Sequence, residues 1–189
     1  GNPLIAVDDI ALPGKHNLSN MLGAATTSHL MGISDDHISH VMRSFTGVEH
    51  RLENVATVKG VEYINDSKAT NLDSVMVAIE SLNKPVVLIL GGRNKGADFR
   101  LLLPHIKSSH VRDIISYGDA GGQISTAIGD AVRSVQVTDL NSAVRVAQSL
   151  AAPGDIVLLS PGCASFDRFS NFEKRGEFFK SLIMEMTNT

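Results

Sequence analysis

The sequence has little cysteine and no long apolar run. Cys163 is the single cysteine among the 189 residues, so the chain can form no internal disulfide and suits a reducing compartment. No stretch approaches the roughly 18 to 20 apolar residues that a membrane span requires, and no signal peptide opens the sequence. These absences predict a soluble, cytoplasmic protein without a membrane partner.

An excess of positive charge is also missing. The net charge is -3, and charges of one sign do not gather in long runs. A general nucleic-acid-binding protein would be expected to present a basic face, so no nucleic-acid partner is predicted. The hydrophobic content of 43% is sufficient for a packed core in a domain of this length.

Two glycine motifs that bind nucleotide phosphates are absent as well. The phosphate loop G-x-x-x-x-G-K-[S/T] does not occur, because the pair Gly14-Lys15 is followed by His16 and is preceded by Asp9 where the motif requires glycine. In the glycine-rich segment 91–96, Arg93 occupies the position of the second glycine of the dinucleotide fingerprint. NAD binding is therefore not expected.

Two helical patterns come before Thr46-Gly47, where the character of the sequence changes. The first pattern has Asn17 at its start, and the second follows Ser34 with acidic residues in its first turn. Two helices cannot build a full core alone, so we expect residues 1–47 to leave apolar surface for another domain. Residues 48–189 form the second predicted domain.

In the second domain, strand and helix patterns alternate. Lys59-Gly60 predicts a tight hairpin turn between the first two strands. The later strands are short apolar runs, typical of strands buried on both faces of a parallel sheet. The predicted strands lie at 52–58, 61–65, 86–90, 114–115 and 156–159, and the predicted helices at 99–107, 120–129, 140–150 and around Phe179 to Met186. The pattern predicts a doubly wound, Rossmann-like α/β domain with a mostly parallel sheet.

Polar residues follow three of these strands. Asp66, Lys68 and Thr70 come after the second strand, Lys95 after the third and Ser165 after the last. Ligands of open α/β sheets bind outside the carboxyl ends of the strands, so we expect Thr70, Lys95 and Ser165 to meet at one edge. Surface loops are polar by default, which is the alternative explanation.

The junction after residue 65 has the character of an anion site. An amphipathic helix pattern begins near Val75, so Thr70 lies beside its amino terminus, where unpaired N–H groups and the helix dipole favour negative charge. Lys68 adds a full positive charge. The alternative is that Thr70 is only the N-cap, with Asp73 completing something close to a capping box.

Several segments together resemble the Mur ligase family, and the tail resembles its D-glutamate-adding members. The resemblance extends from about residue 11 to the end of the chain. The matching segments are Gly14 to Asn17, His50-Arg51, Asn65 to Asn71, Gly91-Gly92 through Lys95 to Phe99, Ser160 to Phe169 and Asn171 to Gly176.

The resemblance implies an activity for the full-length enzyme. Members of this kind use ATP and Mg²⁺ to join D-glutamate to UDP-N-acetylmuramoyl-L-alanine through an acyl phosphate, in peptidoglycan precursor synthesis. Residues 1–47 would be the end of the central ATP-binding domain, and residues 48–189 the C-terminal glutamate-binding domain. The missing N-terminal and central domains would carry the phosphate loop, the magnesium ligands and the UDP-sugar site. We therefore expect the chain alone to be inactive.

The resemblance also implies roles for individual residues. A catalytic role near the reacting phosphate falls on Lys68. The positions that hold the carboxylates of D-glutamate are Thr70, Lys95, Ser165 and Phe172, and those that contact the nucleotide are Asn17, Arg51 and Asp66. His50, next to Arg51, would help to shape the nucleotide site, and His16 would contribute only packing and hydrogen bonding.

Each role has a structural alternative. The two lysines could be merely solvated, and Phe172 could be a core aromatic residue. Asn17 could cap its helix, and Arg51 could pair with Glu49 or Glu53. At the level of function, the alternatives are a non-catalytic anion- or nucleotide-binding module and a Mur ligase with another amino-acid substrate.

Two further features favour structural interpretations. Cys163 lies between small residues, which favours a buried side chain over a reactive thiol. His37 and His40 share a helix face without a carboxylate or cysteine placed to complete a metal site, which favours a solvated pair.

Overall fold

The computed structural model describes residues 4–12 and 15–187, in two compact units that divide after Val48. Gly14 of the matched segment lies outside the described residues. The division falls close to the predicted boundary at residue 47. The assignment of the two units to a central and a C-terminal ligase domain stays a prediction.

The first unit contains two helices, α1 (Lys15–Leu30) and α2 (Asp35–Ser44). Helix α1 begins before Asn17, so the interpretation of Asn17 as its N-cap is wrong. A small core forms from Met21, Ala25, Ile38 and Met42. The expected surplus of apolar surface is confirmed by large exposed side chains, which are Val7, Leu22, Leu30, Met31, Ile33, Val41, Phe45 and Val48.

The second unit alternates strands and helices. Its strands are β1 (Glu53–Val58), β2 (Val61–Asn65), β3 (Val86–Gly91), β4 (Val111–Tyr117), β5 (Arg133–Gln136) and β6 (Ile156–Gly162). Its α-helices are α3 (Leu72–Ser81), α4 (Leu103–Ser108), α5 (Gly121–Ile128), α6 (Leu140–Leu150) and α7 (Phe172–Thr187). Short 3₁₀ turns lie at Phe99–Leu102 and Gly129–Ala131, and another lies at Val7–Asp9 in the first unit. Within the described ranges, no helix has both the length and the apolar character needed to cross a membrane.

The strands form a six-stranded sheet in the order β1-β2-β6-β3-β4-β5. Only the β1–β2 pair is antiparallel, and the other neighbours run parallel. The chain moves outward from β3 to β5 and then returns to insert β6 between β2 and β3. The predicted mostly parallel, doubly wound α/β fold is confirmed. Its topology puts the ends of β2, β6 and β3 side by side.

Helices cover both faces of this sheet. Ile64, Leu158, Leu88 and Ile114 pair in one row across four strands, and their side chains join the core beneath α3, α4 and α5. The alternate positions Val87, Ile89, Val157 and Leu159 join a second core that contains residues of α6 and α7. Burial on both faces explains why these strands read as continuous apolar runs.

One local prediction from the sequence is confirmed, and one strand was missed. The hairpin turn at Lys59-Gly60 is confirmed, with φ of 51° and 81° at the two residues. Strand β5 was not predicted from the sequence. It has only four residues, Arg-Ser-Val-Gln, and lies at the sheet edge, so it carries no apolar run.

Asn71 caps the amino terminus of α3. Its side-chain oxygen accepts a hydrogen bond from Ser74 N at 2.9 Å. The alternative that assigned this cap to Thr70 is therefore wrong. Thr70 precedes the cap, and its hydroxyl is not required to satisfy the first turn of α3.

We predict that Asn71→Ala lowers the free energy of unfolding by about 1 kcal/mol, because it leaves an N–H group at the start of α3 without its acceptor. Urea unfolding of the chain measures the loss. Asn71→Asp is the matched control, since its carboxylate can accept the same bond. Equal stabilities of the two variants would contradict the capping role.

Candidate functional site

Three loops meet where β2, β6 and β3 end. Gly162 N donates to Ala69 O at 2.9 Å, which joins the β2 and β6 ends. Arg93 and Ala164 form an antiparallel bridge with N···O distances of 2.8 and 3.1 Å, which joins the β3 and β6 ends. We call the segments 66–70, 92–95 and 163–165 the rim. The segments that carry Thr70, Lys95 and Ser165 are therefore brought together at one edge of the sheet.

Gly92 permits the close approach of two of these loops. Its φ is 120°, a conformation that side-chain-bearing residues rarely adopt, and a Cβ at this position would overlap the carbonyl oxygen of Ala164. Steric crowding therefore explains why residue 92 is glycine, without reference to a phosphate-binding motif. It allows the backbone bridge between Arg93 and Ala164 to form.

Three of the four predicted glutamate-binding residues, which lie on the rim, differ in exposure. Lys95 is exposed, Thr70 is half-buried, and Ser165 is 2% exposed. Burial raises the pKa of the Cys163 thiol to about 12, and the positive charges of Arg175 and Lys95 act in the opposite direction. Lys95 comes two residues after Arg93, which pairs with Ala164, so its segment lies beside the loop that carries Ser165. Cys163 is 1% exposed, which confirms the buried, unreactive interpretation.

Asp66 is a buried carboxylate at the end of β2. Its oxygens accept hydrogen bonds from the Ser160 hydroxyl at 2.7 Å and from Leu52 N at 3.2 Å. Burial raises the pKa of Asp66 to about 6, while these hydrogen bonds and the charge of Arg51 lower it. The carboxylate thus holds the segment before β1 against β6, with the charge of Arg51 nearby.

Lys68 and Phe172 form a pair beside the rim. Lys68 is exposed, and its ammonium lies 5.6 Å from the centre of the Phe172 ring, within cation–π distance. Phe172 is the half-buried first residue of α7, and its ring meets the His50 imidazole edge-on at 6.2 Å. The ring therefore does more than fill a core, because one neighbour is a cation.

Two ion pairs of Lys180 hold the segment around Arg51. Lys180 contacts Glu49 at 2.8 Å and Glu53 at 2.5 Å, so both glutamates considered as partners of Arg51 bind this lysine. Arg51 itself is exposed and electrostatically coupled to Asp66. Asn17 belongs to the other unit. The nucleotide-binding roles of Asn17, Arg51 and Asp66 stay predictions.

A buried polar network beneath the rim was not foreseen from the sequence. Asn65 Nδ2 lies 2.9 Å from His50 Nδ1 and 3.0 Å from a carboxylate oxygen of Glu53, and its side-chain oxygen accepts from Ser67 N at 3.1 Å. His50 is 5% exposed and has a φ of 63°. The network fixes the segment before β1 to the end of β2.

Arg175 lies in the same buried region and is fully inaccessible. Its guanidinium donates to the hydroxyl and carbonyl oxygens of Ser67 and to the carbonyl oxygen of Cys163. One sequence signal could have found it: Arg175 lies one helical repeat before Phe179 and two before Ile183, on the buried stripe of α7. An arginine on an apolar stripe indicates a specific internal partner.

We predict that Asp66 makes the stability of the chain fall as pH rises. Its folded pKa of about 6 exceeds the ordinary value of 3.8, so its stabilising contribution is present below about pH 4 and is lost as pH rises through 6. In Asp66→Asn this dependence disappears. The difference in unfolding free energy, wild type minus variant, should fall by on the order of 2 kcal/mol between pH 4 and 7. A flat difference in urea titrations would contradict the raised pKa.

We also predict that Gly176→Ala destabilises the fold, although alanine normally favours helices. A Cβ at residue 176 would overlap the buried His50 imidazole, and the expected loss is about 1 to 3 kcal/mol. Gly122→Ala in α5 is the matched control, because its Cβ would meet no atom closer than 3.8 Å. Urea unfolding should leave the control unchanged or slightly more stable. Equal behaviour of the two variants would contradict the steric role of Gly176.

Comparisons with known proteins agree with this architecture. The family profile described as "Mur ligase, glutamate ligase domain" matches residues 50–163. A UDP-N-acetylmuramoylalanine–D-glutamate ligase from Pelotomaculum thermopropionicum is 44% identical over 95% of this chain and 40% of its own length. A ligase of the same name from Bacillus mycoides is 42% identical over 98% of this chain and 41% of its own length. The chain thus spans about two fifths of these curated relatives.

Solved structures share the fold at low sequence identity. The UDP-N-acetylmuramate-alanine ligase of Thermotoga maritima superposes with a TM-score of 0.69 at 14% identity, over 92% of this chain and 39% of that one. A Mycobacterium tuberculosis folylpolyglutamate synthase complexed with ADP also gives 0.69, at 15% identity, over 90% of this chain and 41% of that one. The profile match covers more than half of the chain. The chain therefore belongs to the Mur ligase family.

Proposed function

We propose that this chain is part of a cytoplasmic, ATP-dependent ligase that joins D-glutamate to UDP-N-acetylmuramoyl-L-alanine in peptidoglycan precursor synthesis. The observation that carries the proposal is the rim, where the loops of Thr70, Lys95 and Ser165 are joined by backbone hydrogen bonds. The name of the relatives at 42 to 44% identity supports the choice of substrate.

The rim has the chemistry that a small dicarboxylate requires. Lys95 is an exposed lysine on the segment that is bridged to the loop of the buried Ser165, and Thr70 adds a second hydroxyl at the neighbouring strand end. Ammonium and hydroxyl groups hold carboxylates through charge-assisted hydrogen bonds. Phe172 is assigned a packing role, and its ring lies 5.6 Å from the Lys68 ammonium. In the proposal, these residues orient D-glutamate so that its amine meets the acyl carbon.

In the proposed reaction, the terminal carboxylate of UDP-N-acetylmuramoyl-L-alanine takes the γ-phosphoryl group of ATP and releases ADP. The amine of D-glutamate then attacks the acyl phosphate carbon, an amide bond forms, and inorganic phosphate leaves with the loss of the amine proton. Activation is needed because a free carboxylate is a poor electrophile. Lys68 is assigned to the developing phosphate charge, since its ammonium lies exposed in the loop before α3.

The nucleotide contacts are assigned to Asn17, Arg51 and Asp66. Arg51 offers an exposed guanidinium, the preferred partner of phosphate groups. Asp66 is 4% exposed and hydrogen-bonded, so its part in the proposal is to hold the backbone next to Arg51. The main ATP-binding elements and the UDP-sugar site are assigned to the missing N-terminal and central domains.

Magnesium is implied by the family, and the described residues do not fit it. Residues 4–12 and 15–187 contain no group of three or more His, Cys, Asp or Glu side chains that could hold a metal ion. We therefore assign no magnesium ligand to this chain. The ligands are proposed to lie in the central domain.

We predict that Lys95→Ala in the full-length ligase raises the KM for D-glutamate by at least about tenfold, because one charge-assisted contact to a carboxylate is lost. Lys107→Ala is the matched control, since Lys107 is an exposed lysine in α4, away from the rim. Steady-state phosphate release with varied D-glutamate measures both. An unchanged KM in Lys95→Ala would contradict the assignment.

The same assay tests the substrate. Wild-type enzyme should turn over D-glutamate in preference to L-glutamate, alanine or diamino acids, and the 189-residue chain alone should show no turnover. Preference for another amino acid would favour a different Mur ligase. A full-length protein that binds anions without any ligation would favour the non-catalytic module.

A further inference from the structure

We propose that Arg175 is a positioning residue that sets the spacing of the glutamate-binding side chains, and the proposal rests on the function above. Arg175 is fully buried at the fourth position of α7 and is not one of the groups assigned to contact substrate. Its guanidinium joins the rim loops from below.

The guanidinium connects the ends of β2 and β6 directly. Nε donates to the Ser67 hydroxyl at 2.9 Å, and one terminal nitrogen donates to the Ser67 carbonyl at 2.8 Å. The other terminal nitrogen donates to the Cys163 carbonyl at 3.0 Å. The guanidinium thus makes two hydrogen bonds to the loop after β2 and one to the loop after β6. Only a planar group with several N–H donors can make these bonds together.

The β3 end is fitted to the same guanidinium by shape. A Cβ at Gly92 would lie 3.2 Å from a terminal nitrogen of Arg175, so the glycine leaves the room that the guanidinium occupies. Arg175 therefore touches or borders all three rim segments. A shift of the guanidinium changes the separation of those segments.

Each contact lies close in sequence to a residue assigned to D-glutamate. Ser67 comes just before Lys68 and Thr70, Cys163 comes just before Ser165, and Gly92 comes just before Lys95. The segments between contact and side chain are too short to absorb a displacement. Movement of the Arg175 contacts is therefore transmitted to the glutamate-binding groups, and small misplacements of substrate-holding groups are costly in catalysis.

Ser67 extends the effect to the Lys68–Phe172 pair. Its hydroxyl accepts from Arg175 and donates to the Phe172 carbonyl at 2.7 Å. The start of α7, which carries the Phe172 ring, is thereby tied to the loop that carries Lys68. Without this bond, the position of the Phe172 ring relative to the Lys68 ammonium is no longer fixed by Ser67.

The choice of a charged residue also points beyond packing. All three of these bonds go to neutral oxygen atoms, and burial raises the pKa of neighbouring Tyr117 to about 12, so that phenol is neutral at physiological pH. None of these three acceptors is a carboxylate, so the cost of desolvating the guanidinium is not offset by a direct ion pair in these bonds. Positive charge below a rim assigned to a dicarboxylate also favours the ligand electrostatically.

The test is steady-state kinetics of full-length Arg175→Lys and Ser67→Ala. Lysine keeps the positive charge but lacks the planar guanidinium that bonds to both loops. Ser67→Ala removes the hydroxyl while leaving Arg175 in place. Both should raise the KM for D-glutamate by at least about tenfold. The KM for ATP should stay within about twofold, because Lys68 is assigned to charge that develops during the reaction, so that its displacement lowers kcat and not the affinity for ATP.

Val144→Ala is the control for general destabilisation. Val144 lies in α6, fully buried in the core on the opposite face from α3. It should lower the Tm without changing the ratio of the two KM values. If Arg175→Lys does not fold, Ser67→Ala decides alone.

The outcomes separate the two proposals. A wild-type enzyme that does not ligate D-glutamate ends the proposed function. A wild-type enzyme that does so, with Arg175→Lys and Ser67→Ala keeping its KM for D-glutamate, overturns the positioning role. Equal rises in both KM values, matched by Val144→Ala at the same Tm, also overturn it, because they reveal only lost stability.

Discussion

Backbone hydrogen bonds join the chain at the carboxyl ends of β2, β6 and β3. Ala69 bonds to Gly162, and Arg93 bonds in both directions to Ala164, so the three loops leave the sheet as one connected surface. Most of the site follows from this constraint. Side chains from residues far apart in the sequence become neighbours because the loops cannot separate, and the glycine at 92 is required because they approach so closely.

Charge is distributed unequally above and below this surface. Lys68 and Lys95 are exposed, whereas Asp66 and Arg175 are buried, with Asp66 bonded to Ser160 of β6 and Arg175 to the carbonyl oxygen of Cys163. Exposed cations can exchange water for a ligand at low cost, while buried ions must keep their partners. The exposed pair is therefore suited to binding and the buried pair to architecture.

The sequence allowed the sheet to be predicted well, because buried parallel strands leave continuous apolar runs. It allowed the rim loops to be predicted for a topological reason, since polar residues after parallel strands share an edge. The failures have local causes. Strand β5 has too few apolar residues to be recognised. The cap of α3 falls on Asn71 and not on Thr70 because the helix begins at Leu72, a start that the apolar stripe from Val75 does not define.

The buried network was missed for a different reason. His50, Asn65 and Arg175 are polar residue types that are usually exposed, and their burial depends on partners more than 100 positions away in the case of Arg175 and Ser67. Periodicity in one helix could flag the position of Arg175, but no local pattern identifies its acceptors. Such pairings become visible only when the strand order is known.

The contact between His50 and Gly176 has an evolutionary consequence. Because the imidazole fills the space where a Cβ of residue 176 would stand, the two positions are not free to vary independently. A lineage can acquire a larger residue at 176 only after, or together with, a smaller one at 50. We therefore expect substitutions at positions 50 and 176, at opposite ends of this domain, to be linked.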